Sequence, residues 1–271
     1  DCRNSLFERL INIQKKNGSE EFIHMLFKQG RMHPEISSFS NEIFYEKKLK
    51  PIPLKHQLEI LHCPSYDKSD GLQNLIASHR LAFIVSKGDK NPISDKTNKD
   101  EAIRISALLK TIYTINKNNF NPQTVGVIVP YRNQIALIRK EIKQLNIPAL
   151  SDITIDTVER YQGSERDFII YGFTVQKIYQ LEFLTGNVFK DNGQTIDRKL
   201  NVVLTRARKQ LFLIGNPQIL SYNIIFQKLI KFIDNRQGVC DIPTEYFIQG
   251  KFSCSPADKT SVPDSRQKLN V

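Results

Sequence analysis

The sequence predicts an α/β protein with a doubly wound, mostly parallel sheet covered by helices on both faces. Short, wholly apolar runs, such as LAFIV at 81–85 and VGVIV at 125–129, indicate buried strands. Longer amphipathic stretches with helical spacing lie between such runs, and this alternation favours a parallel sheet. Ligands of such sheets gather at the carboxyl ends of the strands. The loops of first interest are those after residues 85, 129, 155 and 214.

Two helices precede the first strand. The apolar side chains of the first helix, residues 5–16, fall on one face: Leu6, Phe7, Leu10 and Ile13. The second helix, 34–45, begins with Pro34, which suits an early helical position. Residues 51–80 show no clear period, so the first predicted strand is 81–85.

The middle of the chain alternates between the two kinds of element. A helix is predicted over 97–117, where Asp100 and Glu101 complement the helix dipole near its start. The strand 125–129 leads into a helix over 134–145. The later elements are strands over 153–155 and 168–173, a polar loop over about 185–195, a helix over 200–207, a strand over 211–214 and a helix over 222–234. The polar residues after Gly238 predict a loosely ordered tail.

Composition narrows the class of protein. Hydrophobic residues make up 40% of the 271 residues, so a core can form and global disorder is excluded. The net charge of +11 suggests a polyanion such as nucleic acid, and an evenly spread solubility charge explains it equally well. No apolar run approaches the roughly 20 residues of a membrane span.

The four cysteines are too sparse for a disulfide scaffold and lack the spacing of a zinc site. They predict free thiols in an intracellular, cytoplasmic compartment, with no metal site among them. The chain lacks an initiator Met and opens inside an amphipathic pattern, from which we expect a piece of a longer protein.

Two common nucleotide motifs are absent. The sequence contains neither GxxxxGK[ST] nor GxGxxG, and its twelve glycines are scattered. No strand ends in an Asp-Glu pair that could hold magnesium. The chain alone is therefore expected to be neither a self-sufficient NTPase nor a standard dinucleotide binder.

Four segments in this order resemble the second RecA-like motor domain of superfamily 1B helicases, the group of the nonsense-mediated-decay RNA helicase and the replication helicase-nuclease. They are QGRMHPEISSFSNEIFY (29–45), VGVIVPYRNQ (125–134), TIDTVERYQGSERDFIIYGFT (154–174) and RKLNVVLTRARKQLFLIGN (198–216). The resemblance covers roughly residues 5–220, judged by motif order. It implies a RecA-like fold, of the P-loop NTPase type, that lacks its own phosphate loop. The implied divisions are the linker or end of a preceding motor domain over 1–24, the second RecA-like domain over 25–238 and a polar tail over 239–271.

The resemblance implies catalytic roles for two arginines. Arg206 corresponds to the arginine finger, and Arg31 to a second arginine aimed at the γ-phosphate. A guanidinium suits this role because its planar fork binds two oxygens and keeps its charge during phosphoryl transfer. Helical spacing puts Arg208 on the other flank of the same helix, where it should meet a carboxylate or solvent. His33 is expected to hold its loop by hydrogen bonding.

Three further residues are implied in ATP binding. Glu165 would accept hydrogen bonds from the ribose, Gly163 would permit close approach to a phosphate, and Gln162 would link the ATP and nucleic-acid sites. The alternative for Glu165 is an ion pair with Arg166 or another nearby basic residue. Many relatives have a tyrosine, able to stack on adenine, where this chain has Gly30, so stacking is not expected from that side.

The nucleic-acid track is implied at the turn from strand to helix after residue 129. Tyr131 can stack on a base, Arg132 and Asn133 can reach phosphates, and helix starts bind anions. Pro130 belongs to the same motif, and Thr157 is a candidate donor to a phosphate. Alternatively, Pro130 and Tyr131 only begin the helix.

The resulting hypothesis is the C-terminal motor domain of an ATP-dependent helicase, an NTP hydrolase that is inactive as an isolated fragment. Its expected cofactors are ATP and Mg²⁺, both held mainly by the preceding RecA-like domain. Its expected partners are that domain and single-stranded DNA or RNA, with no membrane. Two alternatives remain open: a non-catalytic nucleic-acid-binding or regulatory module, and an α/β metabolic enzyme that is basic by chance.

Overall fold

A computed structural model describes residues 6–18, 21–24, 26–61, 66–89, 91–186, 188–191 and 194–249. Its helices are α1 (Leu6–Lys16), α2 (Pro34–Phe44), α3 (Lys55–Leu58), α4 (Gly71–Ser78), α5 (Lys99–Ile115), α6 (Arg132–Gln144), α7 (Leu181–Thr185), α8 (Arg198–Leu204), α9 (Pro217–Leu220), α10 (Ile224–Asp234) and α11 (Thr244–Gln249). Its strands are β1 (Lys28–Gln29), β2 (Lys50–Pro51), β3 (Leu81–Val85), β4 (Val125–Ile128), β5 (Thr154–Asp156), β6 (Arg166–Gly172), β7 (Val188–Asp191), β8 (Gln194–Asp197), β9 (Ala207–Gly215) and β10 (Val239–Cys240).

Six of the strands form one sheet in the order β10-β3-β9-β6-β4-β5, and every neighbouring pair is parallel. All five residues of β3 are buried, as a sheet covered on both faces requires. The predicted α/β class with a parallel sheet is therefore confirmed. None of the described helices is long and apolar enough to cross a membrane.

Each face of the sheet packs against its own set of helices. Phe83 and Leu213 point into a core that α2, α8 and α10 complete. Their chain neighbours Ile84 and Phe212 point the other way, into a core completed by α4, α5 and α6. Because side chains alternate along a strand, a wholly apolar run supplies both cores at once.

The structure corrects the predicted helix over 200–207. Helix α8 ends at Leu204, and Ala207 is already the first residue of β9, where it pairs with Arg166. Ala207 follows Leu204 at helical spacing, so spacing alone placed it on the wrong element. The predicted polar loop over 185–195 contains the antiparallel hairpin of β7 and β8, which its polar residues did not reveal.

Up to Gln249, the chain after Gly238 also differs from the loose tail predicted over 239–271; the rest of that tail lies outside the described residues. Strand β10 is the outermost strand of the sheet and pairs with β3, and α11 packs near α5. The fully buried Arg104 of α5 holds this segment: its Nη1 donates to the Ile242 carbonyl at 2.7 Å and its Nη2 to Thr244 Oγ1 at 2.9 Å. Polar composition misled because it does not reveal that a distant buried arginine bonds to this segment.

Because the strands are parallel, all their carboxyl ends lie on one side of the sheet, here called the carboxyl edge. All their amino ends lie on the opposite side, here called the amino edge. Residues 157–165 connect the carboxyl end of β5 to the amino end of β6, so this segment crosses from one edge to the other. Tyr161, 1% exposed, anchors the crossing. A Cβ added at Gly126 would overlap its hydroxyl and lie 2.8 Å from its Cζ, so the ring packs directly on the glycine of β4.

Candidate functional site

Arg31 and Glu165 meet at the amino edge of the sheet. Arg31 lies just after β1, and Glu165 lies just before β6. Arg31 Nε is 2.6 Å from Glu165 Oε2, and its Nη1 donates to the Thr205 carbonyl at 3.1 Å. This contact joins two of the motifs that lie 134 residues apart in the chain. It also realises the ion pair considered for Glu165, although with Arg31 rather than Arg166.

Arg206 stands beside this pair, in the turn between α8 and β9. Its Nε donates to the Val202 carbonyl at 2.9 Å, and its Nη2 to Thr205 Oγ1 at 3.0 Å. A longer bond of 3.4 Å joins its Nη1 to the Ser164 carbonyl. Burial lowers the pKa of Arg206, and the nearby positive charge of Arg31 lowers it further. Two guanidinium groups therefore share one small region.

Arg208 lies on strand β9, not on the helix where it was expected. Its Nη2 is 2.6 Å from Asp167 Oδ1, and its Nη1 is 3.6 Å from Glu165 Oε1. The expected contact with a carboxylate is present, but the reason given for it, opposite flanks of one helix, is wrong. The two arginines differ because one is in a turn and the other is in the sheet.

An open cavity of about 660 Å³ adjoins the arginines. Its lining includes Gly30, Arg31, Leu54, Glu165 and Arg206. This cavity lies at the amino ends of β6 and β9, so the expectation that ligands gather at carboxyl ends does not hold for the arginines. The cause is the crossing segment 157–165, which begins at the carboxyl edge and delivers Glu165 to the opposite one.

The other residues of the crossing segment take varied positions. Gly163 has φ of +88°, a conformation that side chains rarely adopt, and an added Cβ would meet no atom within 4 Å. It is thus needed for its backbone angle rather than for lack of room. Gln162 is exposed. Thr157 is only 8% exposed, and its side chain hydrogen-bonds Glu159, whose pKa this bond helps to lower.

The predicted nucleic-acid residues lie at the carboxyl edge, at the start of α6. Pro130 is buried, whereas Arg132 and Asn133 are exposed in the first helical turn. Tyr131 is the N-cap, and no side chain accepts a hydrogen bond there. The Tyr131 ring stacks on Phe183 of α7, with centroids 4.9 Å apart and planes 24° from parallel. The structure therefore brings Tyr131, Arg132 and Asn133 together at an exposed helix start.

His33 holds its loop, as expected. Its Nδ1 accepts a hydrogen bond from the Glu35 N–H at 3.3 Å and so caps α2. The backbone N–H of His33 donates to the Arg208 carbonyl at 2.9 Å. Burial and the charge of Arg80 lower the pKa of His33. A neutral capping imidazole is consistent with a structural role.

Sequence reasoning missed a buried polar network under the carboxyl edge. Asn98 N donates to Gln134 Oε1 at 2.8 Å, and Gln134 Nε2 returns a bond to the Asn98 carbonyl at 2.9 Å. Glu101, fully buried, accepts from Thr174 N at 2.8 Å. The network ties the first turn of α6 to α5 and to the loop after β6. The only sequence signal was an acid near a helix start, which the dipole explains equally well.

Residues 2–218 match a family model described as an AAA domain. An uncharacterized ATP-dependent helicase of Methanocaldococcus jannaschii is 29% identical and aligns with 86% of this chain and 32% of its own length. The human DNA replication ATP-dependent helicase/nuclease is 25% identical over 89% of this chain and 22% of its own length. The Drosophila melanogaster regulator of nonsense transcripts 1 homolog is 27% identical, over 86% and 18% respectively. The chain thus spans a third or less of these relatives.

Proposed function

Because this chain belongs to the AAA_12 family of AAA domains, we propose that it is the second motor domain of an ATP-dependent nucleic-acid helicase. The resemblance to superfamily 1B helicases drawn from the motifs is confirmed at the level of the family and of two relatives named as ATP-dependent helicases. The finer roles of the residues are our proposal.

The observation that carries the proposal is that Arg31 and Arg206 line the same cavity in a chain without a phosphate loop. Phosphoryl transfer needs positive charge near the γ-phosphoryl oxygens. A second domain that holds the phosphates would supply the rest of the site. Arg206 now donates to two carbonyls and a hydroxyl, and phosphoryl oxygens are stronger, charged acceptors for the same donors.

Glu165 has a place in this scheme through Arg31. The ion pair at 2.6 Å fixes the guanidinium against the amino end of β6. A ribose hydroxyl could still donate to the Glu165 carboxylate, because its side chain is 40% exposed. The proposed ATP residues are therefore Arg31, Arg206, Glu165, Gly163 and Gln162.

Mg²⁺ is proposed to be held by the preceding domain. Within the described ranges, no group of three or more His, Cys, Asp or Glu side chains gathers where it could hold a metal ion. Glu165 is occupied by two arginines. The residues that the structure describes do not fit a magnesium site, and we assign none to them.

The nucleic-acid track is proposed at the carboxyl edge, around the start of α6. The first-turn N–H groups there have no capping side chain, and Arg132 and Asn133 are exposed beside them. Thr157 would need to exchange its bond to Glu159 before it could donate to a phosphate. The crossing segment 157–165 joins this track to the arginines, so that ATP binding and strand binding share one piece of backbone.

ATP turnover tests the proposal. The protein that contains this chain together with its phosphate-loop domain should hydrolyse ATP faster when single-stranded DNA or RNA is added. The 271-residue chain alone should not hydrolyse ATP, because it has no phosphate loop. Strand-stimulated turnover by the chain alone would refute the division of labour.

One observation favours the non-catalytic alternative. All three donor nitrogens of Arg206 are bonded within the chain, as in a purely structural arginine. A regulatory module would bind single strands but show no turnover in the complete protein. The same assay therefore separates the two functions, with strand binding as its second measurement.

A further inference from the structure

We propose that the ring of Tyr131, backed by the stacked ring of Phe183, forms a platform on which the bases of single-stranded nucleic acid stack, and that Phe183 is a positioning residue of this platform. The inference rests on the proposed function, since it extends the track at the start of α6. Phe183 lies on α7, outside all four motifs that predicted the function. No sequence pattern drew attention to it.

The geometry of the pair is that of a preformed aromatic surface. The ring centroids are 4.9 Å apart and the planes are within 24° of parallel. The two rings come from different elements, the turn after β4 and helix α7, which fix them independently.

Core packing does not account for the pair. Phe183 is 47% exposed, and neither ring is among the side chains that form or flank the two hydrophobic cores. Exposed aromatic surface costs free energy in water unless a ligand covers it. A nucleobase is a flat ring that stacks on such a surface with little regard to sequence.

The surrounding charges indicate that bases, rather than phosphates, are bound at this point. Lys199 Nζ lies over the Phe183 ring, 4.4 Å from its centroid, so the face of the pair left for a base is that of Tyr131. The same ammonium is 3.1 Å from a carboxylate oxygen of Glu159. Lys177 is similarly paired with Asp95, at 3.0 Å. Both lysines are therefore largely neutralised. The free positive potential lies a few residues away, at Arg132 and the start of α6.

This separation predicts two kinds of contribution to affinity. Phosphate contacts make affinity fall with salt, whereas base stacking leaves the salt dependence unchanged. The platform should also favour single strands over duplexes, because the faces of paired bases are already stacked on one another.

Binding to two strands of equal charge tests the proposal. One is a short oligothymidylate, and the other has the same length with abasic sites throughout. The 271-residue chain should bind the oligothymidylate about 10-fold more tightly, the range expected of stacking. Phe183→Leu, which keeps an apolar side chain but removes the ring, should abolish most of that difference and leave both the salt dependence and the affinity for the abasic strand unchanged.

Phe120→Leu is the matched control. Phe120 and Tyr113 form a second, partly exposed aromatic pair, with centroids 5.2 Å apart, near the amino edge of the sheet. This variant should bind both strands as the wild type does. Thermal unfolding of each variant confirms that it is folded.

Equal affinity of the wild type for the two strands would overturn the platform without any variant. So would an unchanged preference for oligothymidylate in folded Phe183→Leu. In either case salt-dependent strand binding would leave the proposed function standing. If the wild type bound neither strand at low salt, the proposed track would fail and the platform with it.

Discussion

Arg31, Glu165 and Arg206 show how much of a site depends on single contacts. The carboxylate of Glu165 lies between Arg31, at 2.6 Å, and Arg208, at 3.6 Å. Its negative charge offsets part of the repulsion among the three arginines that line the cavity. The surface exposure of the pair means that its value to stability is small. Its importance lies in orienting Arg31 toward the cavity.

Gly30 is a second residue whose surroundings decide its effect. A Cβ added there would lie 3.1 Å from Leu54 Cδ1 and 3.6 Å from Ile52 Cδ1. An aromatic ring at this position must therefore displace Leu54. Under the proposed function, the aliphatic side chain stands where a stacking ring would otherwise lie.

We predict that Gly30→Tyr combined with Leu54→Ala lowers the KM for ATP in the complete protein. Stacking on the base should contribute on the order of 1 kcal/mol, or about 5-fold. The KM for a pyrimidine triphosphate should fall less, and Leu54→Ala alone should not lower either value. Steady-state kinetics with ATP and UTP measures both. An equal effect on the two nucleotides would reject stacking as the cause.

The motifs predicted which residues belong to the candidate site, but they did not predict which of those residues contact one another. Arg31 and Glu165 were both chosen from sequence, yet their ion pair depends on a tertiary approach that no local pattern encodes. Phe183 was missed because one phenylalanine in a five-residue helix carries no period. Arg208 was assigned to the wrong element because Ala207 fits helical spacing and strand pairing equally well.

At the scale of elements, the crossing segment 157–165 is the feature that links the two proposed sites. Its fixed point is Tyr161, whose ring packs on Gly126 and lies under the side chain of Arg166. Burial raises the pKa of Tyr161 to about 12, so the ring is neutral at physiological pH. Its buried hydroxyl has no hydrogen-bond partner among the described residues.

We predict that Gly126→Ala destabilises the fold by roughly 1–3 kcal/mol, because the new methyl group overlaps the Tyr161 hydroxyl. Tyr161→Phe should restore part of this loss, since it removes the overlapping oxygen without breaking a bond. Chemical denaturation of the two single variants and the double variant measures the coupling. Strictly additive effects would show that the two residues do not contact one another as described.

Glu101 links α5 to the loop after β6 and should make stability depend on pH. Its complete burial raises its pKa well above the usual value, so the folded state keeps a proton that the unfolded state releases. Its contribution is therefore fully present below the unfolded pKa of about 4.5 and is lost as the pH rises through the folded pKa.

We predict that the stability of the wild type relative to Glu101→Gln falls as the pH rises above the unfolded pKa of about 4.5. Because both proteins share every other titratable group, the contributions of those groups to the pH dependence cancel in the difference. One of them is Asp197, whose pKa is also raised by burial. Denaturation midpoints at several pH values provide the measurement. A difference that does not change with pH would mean that Glu101 is charged in the folded protein.

The buried strands of the core were largely predictable from the sequence, whereas the short elements in polar stretches were not. The strands over 81–85 and 125–129 were recognised within one residue, because burial on both faces leaves wholly apolar runs. Strand β10 was missed because it has two residues and is held through Arg104. Local composition does not reveal an element that depends on one distant buried side chain.

The whole molecule places its two proposed sites on opposite edges of one parallel sheet. The arginine cavity is at the amino ends of β6 and β9, and the strand-binding residues follow the carboxyl ends of β4 and β5. A motor needs this separation, since ATP must act on a strand that it does not touch. Two cores, one on each face of the sheet, make the domain between the edges stiff.

Arg206 is proposed to complete an ATP site. The most direct measurement is the kcat for strand-stimulated ATP hydrolysis by the complete protein carrying either Arg206→Ala or Arg208→Ala. We expect Arg206→Ala to lower kcat by about 10³-fold or more while single-strand affinity is retained. Arg208→Ala should be much milder, because Asp167 holds that guanidinium at 2.6 Å on the sheet. The reverse order would assign the finger to Arg208, and full activity of both folded variants would contradict the motor function itself.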